Sequence, residues 1–437
     1  MTAADVRVPR ALPIVIAAAL VVCAAILILT RTFTFYFDEW TFITTAPDWT
    51  PATIFQPHNE HPSILFRLVY WALLNTVGLR SYLPYMALLA LAHAANVVLL
   101  FELVRRRAGD LIGLAAGLLL LVLGAGWEDL LWAFQMAWLG SVACGLGALL
   151  VLQNPRRMAL ATGLLAASLA FSGIGVAFAA VATVQLLLTP ARRRDLLWFV
   201  PVGLALLIWY AAFGRFGTHP TPPPTAHNLL VDPLYAVWGL SQSLAGVIGE
   251  GGWIGAALLV AAVAALGWRW WRHGADAFAI SVAGGLVAFY LVTGLTRAQL
   301  GLQQGGASRY TYVGAVLWLI LLSDAARSLP WRGTWRPALA AVLFLAGFNS
   351  AVLLFEFTVA KTAQMERAAA DLQALAAERG DPCLDPSGYA DPLVMPQVTP
   401  PLYYRAVDRY GDPVAGLPVH DKADFEAARA NLRKAAC

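Results

Sequence analysis

Long apolar stretches separated by short polar connectors run along most of this chain. A helix that crosses a bilayer needs about 20 mainly apolar residues, within a range of roughly 17–25. Stretches of this kind fall at 11–30, 81–104, 111–126, 130–152, 158–171, 174–189, 196–213, 254–271, 276–295, 311–328 and 335–358. The pattern predicts an all-α polytopic membrane protein with about eleven transmembrane helices. The pair at 158–171 and 174–189 is short and hinged at "FSGIG". Two thin spans and a re-entrant hairpin both fit it, the hairpin only where it lines a protein cavity. Two further apolar stretches, 63–78 (interrupted by Arg67) and 229–248, are expected as helices lying at or dipping into the outer interface.

The basic residues orient this arrangement. Cytoplasmic loops carry an excess of Lys and Arg. Arg7 and Arg10 put the N-terminus in the cytoplasm, and the clusters at 105–107, 154–157, 191–194, 268–273 and 326–336 belong on the same side. Consistency then requires that 63–78 and 229–248 do not cross. The outer loops become 31–80, 127–129, 172–173, 214–253 and 296–310, followed by an outer tail. The chain divides into a bundle at 1–358 and a small extracytoplasmic region at 359–437, in a multi-pass protein of the cell membrane. The first apolar stretch is read as a retained span, because no convincing small-residue cleavage site follows it.

Composition sharpens this reading. Of 437 residues, 59% are hydrophobic and 13% charged, against about 45–50% and 25% in soluble domains. The net charge of +4 is spread over short connectors, which marks topology and gives no nucleic-acid footprint. Cys23 and Cys144 lie in apolar runs and read as packing residues. Cys383 and Cys437 lie in the tail, where an outward location permits a disulfide. The tail starts with an Ala-, Leu- and Glu-rich helix that Gly380 and Pro382 end. The proline-rich segment 218–228 is a stiff outer loop, either a spacer or a cover.

The unusual polar residues gather in the outer loops. In "FTFYFDEWTF" (33–42), Asp38 and Glu39 sit among aromatics just beyond the first span. They are either solvated acids of an interfacial belt or reactive carboxylates. "QPHNEHPS" (56–63) carries His58, Asn59, Glu60 and His61 in a row. His58, Glu60 and His61 can hold a divalent metal, or the row can hydrogen-bond a sugar or phosphate. In "GWEDLLWAFQ" (126–135), Glu128 and Asp129 occupy a very short turn. They either cap the next helix or face the outer cavity, and Gln135 is polar at a costly depth. In "GLTRAQLGLQQGGASRYTY" (294–312), Arg297 and Arg309 lie outside, against the usual bias. An arginine fork matches phosphate oxygens; the alternative is snorkelling from a helix end. Acids and arginines on one face suit a reaction between a phosphate-linked donor and a nucleophile that must lose a proton.

These features resemble the GT-C superfamily, the polytopic glycosyltransferases that use polyprenyl-phosphate-linked sugars, among them protein O-mannosyltransferases and lipid A aminoarabinose transferases. In that superfamily an acidic motif such as DE, DD or ED follows the first span, in an outer loop with juxtamembrane helices. "FDEW" at 37–40 matches in type and position, and 63–78 matches a juxtamembrane helix. The set "FDEW", "HNEHPS", "GLRSYLPY", "GWEDLLWAFQ" and "SRYTYVGA" is also similar to actinobacterial membrane proteins regarded as glycosyltransferase-like. The resemblance covers roughly 10–360. It implies Asp38 as catalytic base or acceptor-binding acid, with Glu39 as its partner. On this reading Arg309, Arg297 and Tyr310 hold the donor phosphate. His58, Asn59, Glu60, His61, Glu128, Asp129 and Gln135 shape the acceptor cavity. The expected partners are a polyprenyl-phosphate sugar, a cell-envelope glycan, lipid or protein acceptor, and membrane lipids. Many superfamily members carry a large C-terminal acceptor-binding domain, which this tail is too small to be. The rival expectation is a transporter or lipid-linked-sugar flippase, for which His93, Asn96 and the "FSGIG" break are the hints.

Overall fold

The computed structural model describes residues 2–216, 225–435 and 437. Most of the proline-rich loop expected at 218–228 therefore lies outside the described residues. Among the described residues there is no β-strand, only isolated bridges. In chain order the α-helices are α1 (Ala11–Leu29), α2 (Glu39–Thr45), α3 (Ile64–Thr76), α4 (Leu83–Ala108), α5 (Asp110–Leu121), α6 (Trp127–Leu131), α7 (Met136–Leu152), α8 (Met158–Phe171) and α9 (Gly175–Leu187). They continue with α10 (Val200–Ala212), α11 (Ala226–Gly246), α12 (Trp253–His273), α13 (Ala277–Arg297), α14 (Ser308–Ala326), α15 (Trp335–Ala377), α16 (Pro400–Tyr410) and α17 (Lys422–Asn431).

Seven helical segments among the described residues are long and apolar enough to cross a bilayer: Ala11–Leu29, Leu83–Ala108, Ala133–Leu152, Pro190–Phe216, Trp253–His273, Ala277–Leu300 and Trp335–Ala377. An eighth arises if Asp110–Leu121 and Gly124–Leu131, bent by 47° at their break, count as one span. The remaining expected spans are α8, α9 and α14. The first two have 14 and 13 residues, below the usual spanning length. The third carries Arg309 and Asp324 near its ends and is enclosed by protein from Tyr310 to Leu321. A helix buried on all sides needs no apolar face toward lipid, so its composition departs from that of a lipid-facing span.

α14 is the axis of the core, and α4, α5, α11 and α13 pack around it. The basic connectors meet at one end of the bundle. Ala3 N donates to Leu329 O, Val8 N donates to Asp110, Arg107 pairs with Asp276, and Arg269 and Arg327 both pair with Asp324. The loops that carry the unusual acids and arginines lie at the other end. The helix replacing 229–248, α11, has both ends there. Asn228 bonds Leu295 O beside the last turn of α13, and Gly246 closes on Thr311 in the first turn of α14. The helix at 64–76, α3, is short and buries Phe66, Arg67 and Tyr70 against the site loop.

The tail folds back onto this same end. Trp40 of α2 packs on Tyr403 of α16 with ring centroids 5.7 Å apart, and Arg405 pairs with Asp48 at 2.9 Å. Leu79 N donates to Tyr410 O at 2.9 Å. That approach requires Gly78, whose φ is +70° and whose added Cβ would sit 2.2 Å from Tyr410 O. Cys383 and Cys437 form a disulfide across 54 residues, and the buried Glu378 receives Arg429 and Arg433. Replacing both tail cysteines by serine is expected to cost the tail about 2–5 kcal/mol. Limited proteolysis read by mass spectrometry will show faster cleavage beyond 380, with the bundle fragments unchanged.

Candidate functional site

The site loop begins where α1 ends at Thr30. Phe33, Phe35 and Tyr36 are buried, so the chain crosses under protein before α2 starts. Phe37 has φ 53°, Asn59 φ 52° and Ser63 φ 50°. Three left-handed non-glycine residues in one loop are costly and persist only where surrounding contacts impose them, a pattern that gathers at functional sites.

The adjacent acids separate at the helix start. Glu39 is 0% exposed. Its Oε1 accepts from the Tyr70 hydroxyl at 2.6 Å and the Tyr82 hydroxyl at 3.0 Å, and its Oε2 accepts from Tyr36 N at 3.0 Å. The carboxyl thereby ties α2, α3 and the start of α4 together. Burial pushes it up to about 7 against the partial relief given by these bonds. Asp38 keeps a side chain 25% exposed and faces His58, whose Nε2 lies 3.9 Å from Oδ2. Of the expected catalytic pair, Asp38 alone stands on the open face, and Glu39 is enclosed.

His58 and His61 exchange both backbone hydrogen bonds at 3.0 Å, with Asn59 and Glu60 in the turn between them. This tight turn sends the side chains apart. The His58 ring packs between Phe42 and Phe134 beside Asp38. Glu60 pairs with Arg297. The His61 ring lies edge-on to Trp138 with Nδ1 enclosed and unbonded, and burial pushes it down to about 4. It is therefore a neutral imidazole at ordinary pH. Among the described residues no three His, Cys, Asp or Glu side chains converge as metal ligands, so His58, Glu60 and His61 are not brought together as the expected metal set.

The α6 turn supplies a second charged pair. Glu128 Oε2 lies 3.6 Å from Arg309 Nη1, and Glu128 N bonds Ser308 Oγ at 3.0 Å. Neither Glu128 nor Asp129 caps the helix through its side chain. Asp129 is 0% exposed with both carboxylate oxygens unbonded, and the Gln135 side-chain oxygen is likewise unbonded. Arg309 also lies over the Tyr310 ring, 5.4 Å from its centroid. Tyr36 sits among these groups. Burial, then the charges of Glu128, Glu39 and Asp38, push its phenol up, with Arg309 opposing.

A cavity of about 330 Å³ opens beside this charged end, between α9, α10 and α13. Its walls are largely apolar (Ile174, Leu207, Val292), and Glu60, His61 and Tyr310 stand at its polar edge. The "FSGIG" break has a role here, because a Cβ on Gly173 would fall 2.6 Å from His61 Nδ1. α10 buries only Trp209, so this wall of the cavity is exposed along its outer side.

Sequence reasoning passed over Lys361. It looks like a residue ending the last span, yet it is 2% exposed. Its ammonium lies 3.5 Å from the Tyr36 ring centroid, with Trp132 and Trp127 around it, and bonds Gln364 at 3.0 Å. The signal available was its scarcity: the chain has three lysines, and the other two are Lys422 and Lys434, close to the C-terminal end. Arg67, held over Phe42 and Trp49, was read only as an interruption.

Fold and site together define an all-helical protein, with helices fit to cross a membrane several times and a charged cluster at one end beside an apolar cavity. Comparison with protein-family models, with curated proteins and with solved structures returned no match to this chain.

Proposed function

We propose that the protein is an integral membrane glycosyltransferase of GT-C type. On this reading it moves a sugar from a polyprenyl-phosphate donor to an extracytoplasmic glycan, lipid or protein acceptor. The observation that carries the reading is the apolar cavity whose edge bears Glu60, His61 and Tyr310, next to the Glu60–Arg297, Glu128–Arg309 and Asp38–His58 pairs. A prenyl chain enters past the exposed α10. Its phosphate meets Arg309 and Arg297, which exchange part of their carboxylate pairing for phosphate oxygens. The disulfide supports an oxidising, extracytoplasmic location for the tail, and α16 shares its end of the bundle with Asp38. The full proposal retains about eleven crossings, with the N-terminus cytoplasmic.

The acceptor hydroxyl oxygen attacks the anomeric carbon from the side opposite the phosphate. A carbon–oxygen bond forms to the acceptor, and the bond from the anomeric carbon to the phosphate oxygen breaks. The electron pair leaves with polyprenyl phosphate, held by Arg309. The hydroxyl proton passes to Asp38, and the anomeric configuration inverts. His58 Nε2 faces the carboxylate at 3.9 Å without a hydrogen bond to it.

A transporter would need free binding groups in the middle of the bundle. His93 there bonds Tyr312 and Leu121 O and the Asn96 amide nitrogen bonds Leu139 O and Tyr312, which leaves the Asn96 side-chain oxygen as the one unbonded polar atom of these two side chains. Proteoliposomes loaded with short-chain polyprenyl-phosphate sugars separate the two readings. Transfer leaves free polyprenyl phosphate and a glycosylated acceptor. A donor that changes leaflet yet stays intact in the presence of acceptor saccharides would identify a flippase instead.

A further inference from the structure

The second large cavity at this end, about 470 Å³, lies between α6 and α15, on the far side of the α6 turn from the apolar one. Consecutive residues of that turn serve different sides: Glu128 pairs with Arg309, while Trp127 lines this cavity. Trp127 is stacked on Phe357, with centroids 5.0 Å apart and planes at 16°, which fixes a flat aromatic wall. Val394 of the tail forms part of the opposite side, and Gln364 and Arg367 stand along α15. Lys361 forms the floor.

That lysine is the informative residue. Among the described residues no carboxylate is close enough to form an ion pair with it. Glu39 and Glu128 act on it only from further off. One of its three N–H donors is used by Gln364 and its other close neighbour is the Tyr36 ring face. A buried ammonium without a counter-ion is costly. An anion placed beside it would supply the missing counter-charge. The Tyr36 ring beneath Lys361 is followed two residues later by Asp38, which links this cavity through Lys361 and Tyr36 to the loop that carries the carboxylate proposed as base.

The geometry points to this cavity as the acceptor subsite, built for a saccharide that carries an anionic group, a carboxylate or a phosphate. Lys361 takes the anion, Trp127 takes the face of a sugar ring, and Gln364 and Arg367 take hydroxyls or further charge at the mouth. The inference rests on the glycosyltransferase reading and adds the acceptor class to it. The donor occupies the other cavity, so each substrate has its own cavity at this end of the bundle.

The test uses the full chain in detergent and thermal stabilisation as its readout. The probes are a hexuronate-bearing trisaccharide, a phosphate-bearing trisaccharide, the neutral trisaccharide and a short-chain polyprenyl phosphate. At least one acidic trisaccharide is expected to protect wild type and Arg309→Ala. Its affinity falls by about tenfold or more in Lys361→Gln and in Trp127→Ala. Polyprenyl phosphate is expected to protect Lys361→Gln as it protects wild type. Equal protection by the neutral trisaccharide, or undiminished binding in Lys361→Gln, overturns the subsite. Loss of polyprenyl-phosphate protection in Lys361→Gln also overturns it and makes this the donor site. If polyprenyl phosphate protects no variant while an acidic trisaccharide binds through Lys361, the donor reading fails and the anionic-saccharide site stands.

Discussion

Asp38→Asn is expected to reduce sugar transfer by about 10²–10⁴-fold, the usual contribution of a positioned general base. The protein should otherwise be unaltered. Asp38 is partly exposed, and the side chain it faces is His58 at 3.9 Å. Its carboxylate caps no helix. An asparagine of the same shape keeps the loop and removes only the acceptor of the proton. The melting temperature in detergent should match wild type, and donor binding should persist, because Arg297 and Arg309 are untouched. The loss should appear in kcat more than in KM, since the proton moves only in the transition state. Full transfer by Asp38→Asn would remove this residue from the chemistry.

Glu39→Ala is expected to have the opposite profile, a loss of fold before any loss of chemistry. The substitution strips the acceptor from two buried hydroxyls and one backbone N–H at once. Each buried donor left alone costs about 1–3 kcal/mol. A total of about 3–9 kcal/mol follows if the three losses add, seen as a fall in melting temperature of about 5 °C or more. Glu39→Gln retains one acceptor oxygen and loses less. The pH dependence has a definite sign. The ordinary value for this carboxyl is 4.5 and burial raises it to about 7, so the folded protein binds the proton more tightly than the unfolded chain. The stability tied to that proton is fully present below about pH 4.5 and is lost as pH rises through about 7. Melting temperatures measured across this window should fall less steeply with pH in Glu39→Gln than in wild type. Parallel curves would mean that Glu39 does not carry the linkage.

The contrast between these neighbours shows what the sequence could and could not display. Both acids stood out because charges flanked by aromatic residues at the end of an apolar run are rare. Nothing local tells Asp38 from Glu39. Their difference comes from Tyr70 and Tyr82, 31 and 43 residues away, which close around one and leave the other open. The same holds for the arginines. Arg297 and Arg309 were legible as outward charges against the topological bias. Their partners Glu60 and Glu128, 237 and 181 residues distant, were visible only as members of other loops. The tight turn at His58–His61 was hidden as well, because four polar residues in a row read as one cluster until the backbone sends them apart. Lys361 was missed since a lysine beyond a span looks like an interfacial anchor, and its burial depends on Tyr36, Trp127 and Trp132. The helical bundle itself was plain from the apolar periods. Crossing number was less so, because α8 and α9 are short and α14 is shielded by its neighbours, so neither length nor composition marks them as lipid-facing.

On the proposed reading the apolar cavity receives the prenyl chain and the nearby Arg297 and Arg309 receive its phosphate. The direct measurement is thermal stabilisation of the purified protein by short-chain polyprenyl phosphates and their sugar-linked forms, in wild type and in Arg309→Ala. A ligand that binds the folded state raises its melting temperature by mass action. Clear stabilisation of wild type is expected, with affinity about tenfold or more weaker in Arg309→Ala, the size of effect that follows loss of a charge-assisted contact. Stabilisation that is absent in folded wild type, or is undiminished in Arg309→Ala, would contradict this reading.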